Sequence, residues 1–316
     1  MRFFQIIYSL FLVAIPYIAS GQLLINEFSS KGNFEDFNGN TYDWVEIINS
    51  SNSSVNLSNY FLTDNSSNLN KFQLPNIILP ADSLILFFLS GTSHSNYHAN
   101  FKLSLGENII ISDSNNIVID SKNVSTALSM ISEGRILDGD TIWGFFNLPT
   151  PGESNNSSAY YISISDSPNL SLESGWYNQG QFLIMNTDSL SKIYYTINGD
   201  IPDSNDNLYV DTLFLDSTTV ISARVFRDSS YLPSKVIDRT YFFNEDNFDL
   251  PVFSIITDSL NLWDWNTGIY VLGPNADTLY PFDGANFLIN GLYKWSRLEF
   301  FDKHKDKQAE EEFDLA

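Results

Sequence analysis

The chain has 316 residues and carries 16 Lys and Arg against 38 Asp and Glu, a formal net charge of −22. A polyanion of this size repels phosphate, which excludes nucleic-acid recognition through a basic patch and disfavours anionic membrane surfaces. The absence of cysteine removes disulfide frameworks, thiol catalysis, Cys-ligated zinc and iron–sulfur clusters.

The first residues read as an export signal. Met1-Arg2 supplies a positive charge, Phe3 to Ile18 is almost unbroken apolar sequence, and the small residues Ala19, Ser20 and Gly21 follow. Cleavage is expected before Gln22, leaving a secreted or cell-surface chain with no membrane span after signal removal. Beyond it the apolar runs are short and separated by polar turns, as in Leu23 to Phe28, Trp44 to Ile48, Leu84 to Leu89 and Asn108 to Ser112. Phe and Tyr are abundant, which favours strands. Two loop-rich joints, Pro149 to Ser158 and Asn244 to Pro251, divide the rest. The expected organisation is a signal over 1–21, a β-sandwich over 22–155, a linker over 156–165, a second sandwich over 166–244, and a further segment over 250–316. Of the three histidines, His94 and His98 stand at HxxxH spacing, but Ser95 occupies the place where a zinc metalloprotease has glutamate. Both read as exposed loop histidines.

In the first block, Leu24-Ile25-Asn26-Glu27 is followed by Tyr42-Asp43-Trp44-Val45-Glu46-Ile47-Ile48-Asn49 and by Val55-Asn56-Leu57-Ser58-Asn59-Tyr60-Phe61-Leu62-Thr63-Asp64. In this order they resemble the strand signatures of the lamin tail domain of exported bacterial proteins, over about Leu23 to Asn155. The resemblance implies an immunoglobulin-like sandwich without catalytic machinery of its own. Glu27, Asp43 and Glu46 fall within the strand signatures and are expected to make loop hydrogen bonds or an ion pair. Asp138-Gly139-Asp140 offers Asp138 and Asp140 as calcium candidates, with a solvated turn as the alternative.

In the second block, Pro168-Asn169-Leu170-Ser171 and Ser174-Gly175-Trp176-Tyr177 precede Ile193-Tyr194-Tyr195-Thr196-Ile197-Asn198-Gly199-Asp200-Ile201-Pro202. Asn198-Gly199 after an alternating run is a hairpin signal. Ile221, Ala223 and Val225 define one face of a later strand. The block is similar to the C-terminal domain of chitobiases and β-hexosaminidases, which implies a second, fibronectin-III-like sandwich and no glycosidase activity, because the catalytic barrel of those enzymes is not seen. Tyr194 and Tyr195 point to opposite faces of one strand. They are candidate ligand-binding residues, set against the alternative that one packs in the core and the other supports the hairpin.

The last segment carries Leu250-Pro251-Val252-Phe253-Ser254-Ile255-Ile256-Thr257-Asp258, Thr267-Gly268-Ile269-Tyr270-Val271 and Trp295-Ser296-Arg297-Leu298-Glu299-Phe300-Phe301-Asp302. These resemble the entry to the spore-coat-H (CotH) kinase-like family, which implies an incomplete α+β segment here and ATP with Mg²⁺ only in a completed domain. No catalytic residue and no cofactor is assigned to this chain; Asp258, Asp264 and Asp302 read as solvated or capping acids. The whole reads as mostly β, two sandwiches in tandem ahead of the start of a kinase-like domain, with a polysaccharide or protein as the expected partner. The function expected is that of an exported binding or scaffold protein. The alternatives are a secreted kinase, true of a longer protein only, and a carbohydrate-binding module protein of the cell surface.

Overall fold

The computed structural model describes residues 23–245, 250–277, 279–280, 283–288 and 294–315. The expected signal, 1–21, lies outside the described residues. The chain is mostly β and forms two compact units that divide between Ala159 and Tyr160. Among the described residues no helix is long and apolar enough to cross a membrane.

The first unit contains β1 (Leu23–Glu35), β2 (Thr41–Asn49), β3 (Val55–Asn56), β4 (Tyr60–Thr63), β5 (Phe72–Gln73), β6 (Ile78–Leu79), β7 (Leu84–Leu89), β8 (His98–Ala99), β9 (Asn108–Asp113), β10 (Val118–Asn123), β11 (Ser132–Arg135) and β12 (Trp143–Phe146). One sheet runs β12-β11-β1-β2-β7-β8 and the other β10-β9-β4-β5. Only the β7–β8 pairing in these two sheets is parallel. Ile25, Val45, Ile47, Phe87 and Leu89 from the first sheet meet Leu62, Ile109 and Ile111 from the second in one core. That is the sandwich architecture that the resemblance to the lamin tail domain implies.

β2 is buried on both faces. Val45 and Ile47 enter the apolar core, while Trp44 and Glu46, one position out of phase, are also fully buried. Around Glu46 that second face is polar. Glu46 pairs across the strands with Glu27, and the turn after β12 folds over both.

The second unit contains β13 (Ser163–Ile164), β14 (Asn169–Leu170), β15 (Gly175–Tyr177), β16 (Gln181–Leu183), β17 (Met185–Asn186), β18 (Lys192–Thr196), β19 (Asn207–Leu208), β20 (Leu213–Leu215), β21 (Thr219–Phe226), β22 (Tyr231–Leu232), β23 (Ile237–Phe243), β24 (Val252–Ile256), β25 (Lys294–Phe301) and β26 (Lys307–Leu315). A five-stranded sheet, β15-β23-β21-β18-β19, faces the short pairs β14-β17 and β16-β20. Ile221, Ala223 and Val225 of β21 pack there with Leu183, Met185, Leu215 and Tyr241. β18 and β19 do form an antiparallel pair, but the connection is long, over 197–206, and Asn198-Gly199 only begins it. Thr196 Oγ1 donates to the Asp200 carbonyl, which closes the first bend. The Asp203–Asp206 turn carries the rest of the connection.

Residues 250–315 belong to the same compact unit. β24, β25 and β26 make a three-stranded antiparallel sheet. The α+β character expected of this segment is not evident. The one α-helix among the described residues, α1 (Ser259–Trp263), is a single turn capped by Asp258 and stopped at Asp264, whose carboxylate takes the amides of Asn266 and Thr267 instead. The sheet is fastened by buried charge. Arg297 lies 3.1 Å from Asp238 and donates to the Gly199 carbonyl at 2.7 Å, and Glu299 accepts the Thr240 amide at 2.8 Å.

Candidate functional site

Glu27 and Glu46 are held in a buried hydrogen-bond network, and Asp43 is bonded separately. Glu27 accepts from the Ser132 hydroxyl at 2.5 Å and the Thr150 hydroxyl at 2.8 Å. Glu46 accepts from Asn26 Nδ2 at 3.0 Å and the Gly152 amide at 2.7 Å. Asp43 accepts the Leu103 amide at 2.9 Å. Burial pushes both glutamates above the ordinary carboxylate range, Glu46 to about 8, and Asn26 and the Gly152 amide only partly offset it. Gly134 packs directly on this pair: a Cβ there would lie 3.0 Å from Glu27 Cγ. Neither glutamate is open to a substrate, since both side chains are fully or almost fully buried. They hold loops, the role the strand signatures predict.

The two calcium candidates are used separately. Asp138 accepts from Asn26 Nδ2, the Asn155 amide and the Ser154 hydroxyl. Asp140 takes the Thr141 amide through its carboxylate, and its carbonyl accepts from Arg135. Arg135 also bonds the Ile25 carbonyl and pairs with Asp120 at 2.9 Å. The two carboxylates share none of these partners.

The second unit presents a different surface. β16 and β20 pair antiparallel with Phe182 opposite Phe214 and Leu183 opposite Leu213. Leu183 and Leu215 turn inward to the core. Phe182 and Phe214 turn outward, 66% and 56% exposed, with ring centroids 5.1 Å apart. The edge of the Phe214 ring lies against Gly180, where a Cβ would meet it at 2.4 Å. Beside it opens a cavity of about 250 Å³ lined by Tyr195, Ile197, Phe214, Asp216, Ser217 and Thr219, among others. Exposed rings next to a concavity with a carboxylate and hydroxyls at its margin can take a ligand with one apolar and one polar face.

Residues 17–128 match the family model of the Lamin Tail Domain, and residues 172–237 match that of the Chitobiase/beta-hexosaminidase C-terminal domain. Each unit thus contains a stretch similar to one known domain. No curated protein matches this chain. The first match stops short of β11 and β12, which complete the six-stranded sheet, and the aromatic ribbon β16-β20 lies wholly within the second.

The chitobiase-type unit treats the two candidate tyrosines differently. Tyr195 rests against the core and lines the cavity beside Phe214. Tyr194 is on the opposite face, edge-on to Phe226 at 5.4 Å and across the strands from Arg224. Phe182 and Phe214 were not marked by the sequence, because Phe182-Leu183-Ile184-Met185 and Leu213-Phe214-Leu215 are uninterrupted apolar runs with no polar residue to show the outer face. A second, larger cavity of about 640 Å³ is lined by Asp200, Asp203, Asp206, Asp258, Lys294 and Trp295, among others. Its aspartates are largely engaged by nearby amides, as Asp203 is by Asn205 and Asp258 by Leu260.

Proposed function

We propose that this chain is an exported binding protein, a scaffold of two β-sandwiches whose second unit holds polysaccharide on the Phe182–Phe214 ribbon. The observation that carries the reading is the pair of exposed rings facing solvent side by side, next to the cavity bounded by Tyr195, Asp216 and Ser217. A pyranose ring has an apolar C–H face that stacks on aromatic rings and a rim of hydroxyls that need hydrogen-bonding partners. Asp216 and Ser217 supply those partners at the edge. The match to a domain named for chitobiase and β-hexosaminidase supports a sugar over a peptide as the ligand class. Export rests on the Met1–Gly21 pattern.

We assign no catalytic residue in this chain. ATP and Mg²⁺ would enter only if residues 250–316 belong to a kinase-like domain, a reading supported by their sequence resemblance alone.

The test is retention of the purified chain on insoluble chitin and on a panel of common polysaccharides. Phe214→Ala and Phe182→Ala are expected to weaken retention by about tenfold or more each, the size of a binding hot spot. Tyr194→Ala, on the other face, should bind as the parent does. A parent chain that binds none of the polysaccharides, or a Phe214→Ala chain that binds as well as the parent, overturns the reading.

A further inference from the structure

His94 and His98 are not the pair of exposed loop residues that their polar surroundings predict. His98 belongs to β8, beside β7, and is buried; His94 alone is exposed. With them stands Asp36, from the turn between β1 and β2. One ligand atom from each of the three lies within 4.8 Å of the others.

The surroundings are built rather than incidental. The His98 side chain is 8% exposed and that of Asp36 1%. The His98 imidazole stacks on Phe88 at 5.1 Å and meets Tyr42 edge-on at 5.4 Å, and Phe34 stacks on the same Phe88 at 6.1 Å. The exposed His94 ring lies over His98, with centroids 3.9 Å apart.

The carboxylate is oriented by its own turn. Asp36 Oδ1 accepts the Asn38 amide at 2.8 Å and the Asn40 amide at 3.0 Å, and Oδ2 faces His98. Asp36 Oδ2 and His98 Nε2 are 3.8 Å apart, too long for a hydrogen bond. Two ligands on a tetrahedral zinc with bonds of about 2.0 Å are about 3.3 Å apart. A contraction of about half an ångström therefore closes this pair on one ion. Thr92 Oγ1 lies 3.0 Å from His94 Nδ1. When that nitrogen donates, Nε2 keeps the lone pair a metal needs, the usual outer-sphere arrangement around a ligating histidine.

Two imidazoles and one carboxylate select a borderline transition metal over calcium or magnesium, which take sets of six or more oxygens or water. We propose that Asp36, His94 and His98 form a Zn²⁺ site in the first unit, with a fourth position left to water or an incoming donor. Such an ion ties the β1–β2 turn to the β7–β8 connection. In a chain without cysteine it supplies the kind of cross-link that disulfides give many secreted domains.

The experiment titrates ZnCl₂ into the metal-stripped full chain by calorimetry, with excess Ca²⁺ and Mg²⁺ present to occupy the many surface carboxylates. One Zn²⁺ per chain is expected, and Co²⁺ in its place should give the visible absorption of a tetrahedral site. His94→Ala removes an exposed side chain and so keeps the fold; it should weaken Zn²⁺ binding by more than about tenfold. His304→Ala, in the second unit, should leave binding unchanged. Absence of stoichiometric Zn²⁺ binding, or His94→Ala and Asp36→Asn chains that bind Zn²⁺ as tightly as the parent, overturns the proposal.

Discussion

Glu46 makes the stability of the lamin tail-type unit depend on pH in an unusual direction. Its carboxyl is fully buried and donates nothing when ionised; burial lifts it from the ordinary glutamate value of 4.5 to about 8 against the opposing bonds from Asn26 and Gly152, and the nearby Glu27 and Asp138 carboxylates add to the rise. Folded Glu46 therefore holds its proton more tightly than unfolded Glu46. The stability this contributes is complete below pH 4.5 and is lost as pH rises through about 8. At about 1.4 kcal/mol per pH unit the loss across that window is roughly 5 kcal/mol, a large share of the ~5–15 kcal/mol that holds a typical domain together. Glu46→Gln removes the titration but places an amide where Asn26 Nδ2 or the Gly152 amide donates, at a cost of about 1–3 kcal/mol. The variant should be less stable than the parent at pH 5 and more stable at pH 9. Urea unfolding at the two pH values, followed by the fluorescence of the buried Trp44, reads this crossing. Parallel loss of stability in parent and variant between pH 5 and pH 9 would refute the reasoning.

Two further variants probe packing and charge. Arg297→Ala leaves Asp238 buried without its cation and should cost the second unit about 3–5 kcal/mol at pH 8. Asp238 already sits at about 6 through burial, so protonation below that range should relieve part of the loss; equal penalties at pH 4 and pH 8 in urea unfolding would contradict it. Gly134→Ala drives a methyl to 2.9 Å from the Phe146 ring and 3.0 Å from Glu27, an overpacking worth about 1–3 kcal/mol, to be checked as a lower thermal midpoint of the first unit.

The strands of both sandwiches were legible because their apolar runs are short and closed by polar turns. Val45 and Ile47 around Glu46, and Ile221, Ala223 and Val225, fall on core faces as their spacing demands. Asp258 and Asp264 were readable as caps because an aspartate bonds amides two or three residues ahead of it. What escaped depends on partners remote in sequence. His98 is buried by Tyr42 and Phe88 and faces Asp36, none of which its neighbours Ser95, Asn96 and Tyr97 announce. Arg297 and Asp238 meet only because β25 lies against the polar face of the five-stranded sheet, where Ser222 bonds Asp238. The outward turn of Phe182 and Phe214 is fixed by β16 and β20 pairing over the core, which an apolar triplet alone cannot orient.

The claim that the aromatic ribbon binds sugar is tested most directly by one adsorption isotherm. The full chain and a Phe182→Ala, Phe214→Ala double variant are equilibrated with chitin, and bound protein is measured against free. A saturable isotherm for the parent, reduced to the background of bare matrix in a double variant that unfolds at the parent's urea midpoint, is the predicted result. Superimposable isotherms for the two chains, or none above background for the parent on chitin or on any other polysaccharide of the panel, would contradict it.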